Sequence, residues 1–81
     1  MQPVNRKLKS IAADAADKYA SDRDEPLPET REEIPDRWVK RHRDLLEEHF
    51  GQRAPDVVVE RYLNFLIENF RAKNDTGGIG D

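Results

Sequence analysis

One segment, from about Pro55 to Lys73, holds most of the large apolar side chains of this chain and constrains its fold more than any other feature. At about 100° per residue, eight of its nine large apolar positions would cover an arc of roughly 200° on a helix. An apolar surface this wide needs neighbours on two sides. We therefore expect the segment to be the middle helix of a bundle, or to pack against a second copy. The nine residues are Val57, Val58, Val59, Tyr62, Leu63, Phe65, Leu66, Ile67 and Phe70.

Two further segments have helical spacing with narrower apolar stripes. In the first, large or alanine side chains recur every three or four residues, which places them on one helix face. The second starts at Pro35, which suits the first turn of a helix, and stops at Gly51, which suits a left-handed end. No segment alternates as a β-strand would, so the sequence predicts an all-α, small three-helix bundle. The stripes are Val4, Leu8, Ile11, Ala15 and Tyr19, then Trp38, Val39, Leu45, Leu46 and Phe50.

The predicted helices span residues 4–21, 35–50 and 55–73. An acidic connector with Pro26 and Pro28 joins the first two helices, and Thr30 with Glu33 fits a capping box that would start a short helical turn. The last residues contain three glycines and predict a flexible tail. The expected organisation is a single helical domain over residues 1–73 and a disordered tail over residues 74–81.

The second and third helical segments show a weak sequence repeat with a period of 20 residues. Aligning residues 35–50 with 55–70 pairs identical residues, among them Arg41 with Arg61 and Glu48 with Glu68. Two interpretations remain open: a duplicated helical unit, or two helices that share their start signals and core spacing. Either one favours an antiparallel hairpin of the two helices across a short turn.

Composition excludes several classes of protein. The chain has 81 residues, no Cys, and a formal net charge of −3. Without Cys there is no disulfide scaffold, thiolate metal site or cysteine nucleophile. The acidic balance gives no general attraction to nucleic acid or anionic lipid. No apolar run approaches the roughly 20 residues that span a bilayer, and residues 1–20 lack the apolar core of a secretory signal. The expected location is the cytoplasm, with no membrane association.

The chain contains histidine, serine and carboxylate side chains, but they do not have the spacing that metal binding or catalysis requires. His42 and His49 lie seven residues apart on one helix, which is about 10 Å and too far for one metal ion. Ser10 and Ser21 lie outside any nucleophile-elbow sequence. The connector carboxylates lack the cleft that an acid–base pair requires. We therefore expect no enzyme activity, no cofactor and no metal.

A basic cluster on the second helix offers the alternative function. A helix-turn-helix DNA-binding regulator would need such charges together with a short turn like the one that follows Gly51. However, the recognition helix would be the third, which is mostly apolar. Arg43 with Glu47, and Lys40 with Asp44, also fit ordinary surface ion pairs at i, i+4. The cluster consists of Arg37, Lys40, Arg41 and Arg43.

Residues 1–50 resemble the theta subunit of bacterial DNA polymerase III, a small helical protein that binds the proofreading exonuclease subunit. The interval between the two prolines is shorter here, and the apolar third helix has no counterpart in that family. The matching residues are Lys7, Leu8, Ala13, Ala15, Tyr19, Pro26, Glu33, Pro35 and Leu46.

Residues 11–29 are also similar to the anti-sigma factor of the alphaproteobacterial general stress response. The leucine-rich segment that follows in that family is missing, and Ala20 stands where an Asp is usual. Both resemblances use Tyr19 and Pro26, so the chain is assigned to neither family, but both imply a small non-catalytic protein that binds a larger one. The matching residues are Ile11, Tyr19, Glu25, Pro26, Leu27, Pro28 and Glu29.

The wide apolar arc of the third helix is the remaining functional signal, because surplus apolar surface usually marks an interface. We expect a non-enzymatic, accessory or regulatory protein that binds a larger partner protein or forms a homodimer, with an aromatic anchor in the interface. The predicted partner-binding residues are Trp38, Val57, Val58, Tyr62, Phe65 and Ile67.

Overall fold

The computed structural model describes residues 3–22 and 27–79, and within them the side chains of residues 5–21 and 27–75. This part of the chain forms helix α1 (Pro3–Asp22), a 3₁₀ turn (Arg31–Glu33), helix α2 (Asp36–Phe50) and helix α3 (Asp56–Ile79). No strand occurs within the described residues. The predicted all-α, three-helix bundle is confirmed. Pro26 and Gly80, and the side chain of Val4, lie outside the described part.

Local backbone chemistry sets the ends of α2 and the start of α3. The carbonyl oxygens of Pro35 and Pro55 each accept the first amide hydrogen bonds of the helix that follows. At the other end of α2, Gly51 has φ 71°, and its N–H donates to the carbonyl of Glu47 at 2.8 Å. A side chain at this left-handed position would be strained, which is why glycine ends the helix.

Helices α1 and α3 run parallel, because three contacts along them join residues 56 positions apart. On the side of α1 that meets α3, Ala12 and Ala16 are fully buried. Small side chains at these positions let the two helix backbones approach closely. The three contacts pair Asn5 with Arg61, Lys9 with Phe65, and Asp17 with Lys73.

Helix α2 runs antiparallel to α1, and long side chains of α1 bridge the space between the two helices. Near the start of α1, the Lys7 ammonium donates to the carbonyl of His49 at 3.2 Å. Near its end, the ring of Tyr19 stacks on Trp38 with centroids 4.5 Å apart. In the described residues no Cα atom of α1 comes within 8 Å of one in α2, whereas α3 approaches both that closely. The prediction that α3 is the middle helix is confirmed.

The core lies along α3, as its apolar arc predicted. Leu66 and Phe70 are fully buried there, together with Leu8 of α1 and Leu46 of α2. Leu27 and Ile34 of the connector add to the same cluster. The connector therefore contributes apolar surface to the core as well as charge to the exterior.

The predicted end of α3 near Lys73 is wrong, because the helix continues to Ile79. Gly77 and Gly78 lie within this helix, in the segment that the sequence assigned to a flexible tail. Asn74 continues the helix, and its side chain binds the connector: its amide nitrogen donates to the carbonyl of Leu27 at 2.9 Å, and its oxygen accepts from the Leu27 N–H at 3.0 Å. The extra turn of α3 holds the connector.

The predicted helical turn in the connector forms, but its cap differs from the expected capping box. The Thr30 side chain makes no capping hydrogen bond. The Glu33 carboxylate instead accepts from the N–H of Glu29 at 2.9 Å, one residue earlier than a capping box requires. The turn also packs on α3, since Arg31 binds the Glu60 carboxylate through two nitrogens, each at 3.0 Å.

Candidate functional site

Three of the predicted partner-binding residues lie in the core. Tyr62 is fully buried, and Trp38 and Ile67 are each 6% exposed. Trp38 is covered by Tyr19, which stacks on it, and by Phe70, whose ring meets it edge-on at 6.4 Å. Trp38 and Tyr62 therefore already contact partners inside the chain.

The other three predicted residues lie at or near the surface of α3. Val57 is 64% exposed, while Val58 and Phe65 are half-buried against the core. The ammonium of Lys9 lies 5.4 Å from the centre of the Phe65 ring, so a charged side chain covers part of this apolar surface. The structure does not bring the six predicted residues together on one face.

The basic residues of α2 divide between solvent and internal contacts. Arg37, Lys40 and Arg41 are exposed. Arg43 forms an ion pair with Asp56 at the start of α3. The predicted pair of Arg43 with Glu47 is therefore wrong: the Glu47 carboxylate accepts instead from the N–H of Ala54 at 3.1 Å, which closes the turn between the helices.

A groove of about 870 Å³ lies between α1 and α2. It follows from the packing, since both helices approach α3 closely and stay apart from each other. Its floor is mainly apolar and contains buried or half-buried side chains, while its rim is exposed and charged. The floor residues are Ile11, Ala15, Tyr19, His42 and Leu45. The rim residues are Asp14, Asp17, Lys18, Arg41, Asp44, Glu48 and His49.

Ala15 is the smallest side chain that lines the groove. It lies on the face of α1 turned towards α2, in the apolar stripe between Ile11 and Tyr19. A larger residue at this position would reach towards Leu45 on the opposite wall. The sequence predicted the apolar stripe of α1 but not this groove. The available signal was an alanine at a stripe position.

One end of the groove is built on a hydrogen-bonded group that takes one residue from each helix. The hydroxyl of Tyr19 lies 3.0 Å from Nε2 of His42, and the hydroxyl of Tyr62 lies 2.7 Å from Nδ1. A neutral imidazole has one N–H donor and one acceptor nitrogen, so one tyrosine donates to the ring and the other accepts from it. This Tyr19–His42–Tyr62 group satisfies every polar atom of a histidine that is only 2% exposed.

Two members of this group, His42 and Tyr62, are kept neutral near pH 7. Burial, with a smaller contribution from the positive charge of Arg41, lowers the pKa of His42 to about 4. Burial, with a smaller contribution from Tyr19, raises the pKa of Tyr62 above its usual range. A general acid or base works best with a pKa near the operating pH. Neither shift brings a group closer to that range, so the arrangement is suited to holding helices together.

A metal site and a small polar pocket are the two alternatives to the groove as a functional site. Among the described residues, no three His, Asp or Glu side chains converge as metal ligands. A second hollow of about 480 Å³ lies beside the connector. Three of its five lining residues already bind one another: Arg71 donates to the Glu29 carbonyl at 3.0 Å, and Asn74 donates to the Glu29 carboxylate at 2.8 Å. This leaves the α1–α2 groove as the candidate site.

Two further findings bear on function. Within residues 3–22 and 27–79, no helix combines the length and the apolar character needed to cross a membrane. Comparison with protein-family profiles, with curated proteins and with solved structures finds no significant match.

Proposed function

We propose that this chain is a non-enzymatic protein-interaction module that accepts an α-helix of a larger partner protein in the groove between α1 and α2. The observation that supports the proposal is the open groove with its apolar floor, bounded by two helices that do not pack on each other. The activity is that of an accessory or regulatory subunit, because binding requires no chemistry from the chain.

The dimensions of the groove suit a helix. Its floor follows α1 from Ile11 to Tyr19, which corresponds to about 12 Å along the helix axis. A helix laid between two antiparallel neighbours would complete a four-helix arrangement, in which each helix packs on two others. Amphipathic helices commonly bind in this way, with apolar side chains at i, i+3, i+4 and i+7 directed into the groove.

The floor supplies both apolar area and a fixed shape. Ile11 and Ala15 are buried by their own neighbours, so their positions do not need to be ordered on binding. At one end, the hydrogen bonds of His42 to two tyrosines fix the ring of Tyr19. A preorganised surface of this kind loses less conformational entropy when a partner binds.

The predicted interface on α3 and the proposed groove lie on different sides of the bundle. Val57 belongs to the solvent-exposed face of α3, which also carries Asn64 and Glu68. The groove is on the side away from α3. This separation allows the two surfaces to be tested independently.

Site-specific photo-crosslinking tests the proposal. A photo-reactive phenylalanine derivative is introduced at Asp44 on the groove rim, or at Asn64 on α3 as a matched exposed control. After irradiation in an extract of the source cells, the crosslinked partner is identified by mass spectrometry and produced in pure form. Binding of the purified pair is then measured by calorimetry.

The proposal predicts that the purified partner binds directly and crosslinks from position 44 but not from position 64. The crosslinked peptide of the partner should form a helix. Equal crosslinking from both positions, or a crosslink only from position 64, would place the interface elsewhere. A crosslink between two copies of the chain would favour a homodimer.

A further inference from the structure

The charges on the rim of the groove specify the kind of helix that it would accept, an inference that rests on the proposed function. We infer that the partner helix has an apolar stripe with its charges separated along its length. Its basic residues would lie against Asp14, Asp44 and Glu48, and its acidic residues against Lys18 and Arg41. The groove would thus select its partner by charge order as well as by apolar surface.

The register of α1 against α2 places like charges opposite each other. The two helices are antiparallel, with Lys7 next to the carbonyl of His49 and Tyr19 next to His42. In this register Lys18 and Arg41 line the groove at about the same level. One helical turn towards the start of α1, Asp14 lines it at about the level of Asp44 and Glu48 of α2.

These five rim charges form no close ion pair within the described part of the chain. None of them has an ion pair or a side-chain hydrogen bond there, whereas the neighbouring Asp17 binds Lys73 of α3. Like charges that face each other across a groove repel, and an occupant with opposite charges would relieve both repulsions at once. An occupant with the wrong charge order would strengthen them. The empty groove therefore discriminates between helices of equal apolar character.

A second copy of the chain is a poorer occupant than another protein. A helix that fills the groove needs an exposed apolar stripe, and Val57, at 64%, is the only exposed large apolar side chain among those described. The outer face of α3 carries mainly polar and charged residues next to it, such as Glu60, Asn64 and Glu68. No described helix offers the required stripe without leaving the core.

Synthetic peptides test this inference without knowledge of the natural partner. Each peptide is a helix of about four turns with the same leucine stripe and the same number of Lys and Glu residues. In two peptides, Lys occupies one half and Glu the other, in either order along the sequence. In the third, Lys and Glu alternate. Their affinities for the full chain are measured by fluorescence anisotropy at low and high salt.

One charge-separated peptide should bind about tenfold more tightly than the alternating one, since each rim ion pair contributes up to a factor of about five. The preference should decrease at high salt. The double variant Arg41→Glu, Glu48→Lys changes the charge at both ends of the groove and should abolish the preference for the charge-separated peptide. The matched double variant on α3, Arg61→Glu with Glu68→Lys, makes the same changes at equivalent positions outside the groove. It should retain the preference for the charge-separated peptide.

The remaining outcomes separate this inference from the proposed function. If all three peptides bind equally and Ala15→Leu weakens all of them, the groove binds helices but charge order does not matter, and the inference fails alone. If no peptide binds at millimolar concentration, both fail. If sedimentation shows that the wild-type chain self-associates and the Arg41→Glu, Glu48→Lys variant does not, the occupant is a second copy and the inference is wrong.

Discussion

The hydroxyl of Tyr62 lies 2.7 Å from Nδ1 of His42, in a fully buried contact that joins α3 to α2. Tyr19 completes the link to α1 from the other side of the same ring. The group thus connects all three helices at one end of the bundle. Because the connection is made through side chains, the backbones of α1 and α2 remain apart and the groove stays open.

Tyr62→Phe should lower the free energy of unfolding by about 1–3 kcal/mol. The substitution keeps the buried ring but leaves Nδ1 of His42 without a partner in a site that water does not reach. Urea denaturation followed by circular dichroism measures the loss. Tyr19→Phe is the matched control and should cost less, since Tyr19 is only half-buried and water can replace its hydroxyl. Equal stability of Tyr62→Phe and wild type would show that this hydrogen bond does not hold the bundle.

Acid should destabilise the fold through His42. Its pKa is about 4 in the folded chain, against an ordinary value of 6.5. The unfolded chain therefore binds the proton more readily, so the stabilisation is complete above pH 6.5 and is lost as the pH falls towards 4. The difference corresponds to about 3 kcal/mol.

The titration of His42 can be followed by NMR in the His49→Gln variant, where it is the only imidazole. The expected midpoint is near pH 4, and it should rise when Arg41 is replaced by Gln, because a repelling positive charge is removed. In parallel, His42→Gln should remove the part of the pH-dependent stability that lies between pH 6.5 and 4. A midpoint near 6.5 would mean that the ring is not buried.

Leu66→Ala should cost about 2–5 kcal/mol of unfolding free energy, because it creates a cavity in the most apolar part of the core. In a domain of this size, such a loss can unfold the chain. Val57→Ala on the exposed face of the same helix is the control and should change the stability by less than about 0.5 kcal/mol. A loss that small at Leu66 would contradict the central position of α3.

Asn74→Ala should release the connector from α3. The two hydrogen bonds between the Asn74 side chain and the backbone of Leu27 would be lost, leaving the buried Leu27 N–H unsatisfied. Hydrogen exchange at Leu27 and the following residues should speed up, while exchange in α2 should remain slow. Unchanged protection at Leu27 would mean that its side chain alone holds the connector.

The elements that local chemistry determines could be predicted from the sequence. Pro35 and Pro55 start helices and Gly51 ends one, because each acts through its own backbone geometry. The width of the α3 stripe also predicted its middle position. The end of α3 was not predicted, because the glycines after Asn74 favour a tail by local propensity, whereas the helix continues to Ile79. The contact between Asn74 and Leu27 was not predictable either, because these residues are far apart in the sequence.

The candidate site was less accessible to sequence reasoning. The aromatic residues Trp38 and Tyr62 were expected to anchor a partner, but an aromatic residue on an apolar face does not reveal whether its ring and polar group find partners within the chain. Here Tyr19 stacks on the ring of Trp38, and His42 forms a hydrogen bond with the hydroxyl of Tyr62. The groove itself depends on the distance between α1 and α2, which is a property of the whole bundle. Only Ala15 pointed to it.

The central claim, that the α1–α2 groove is open in the free chain and binds a helix, is tested most directly by Ala15→Leu. The larger side chain should project into the groove and weaken the binding of a helical partner at least tenfold. Asn64→Leu adds a leucine outside the groove and should leave binding unchanged. Folding and affinity are measured on the same samples, by circular dichroism and calorimetry. A variant that folds and no longer binds would support the claim, whereas a folded variant that binds the partner as tightly as the wild type would contradict it.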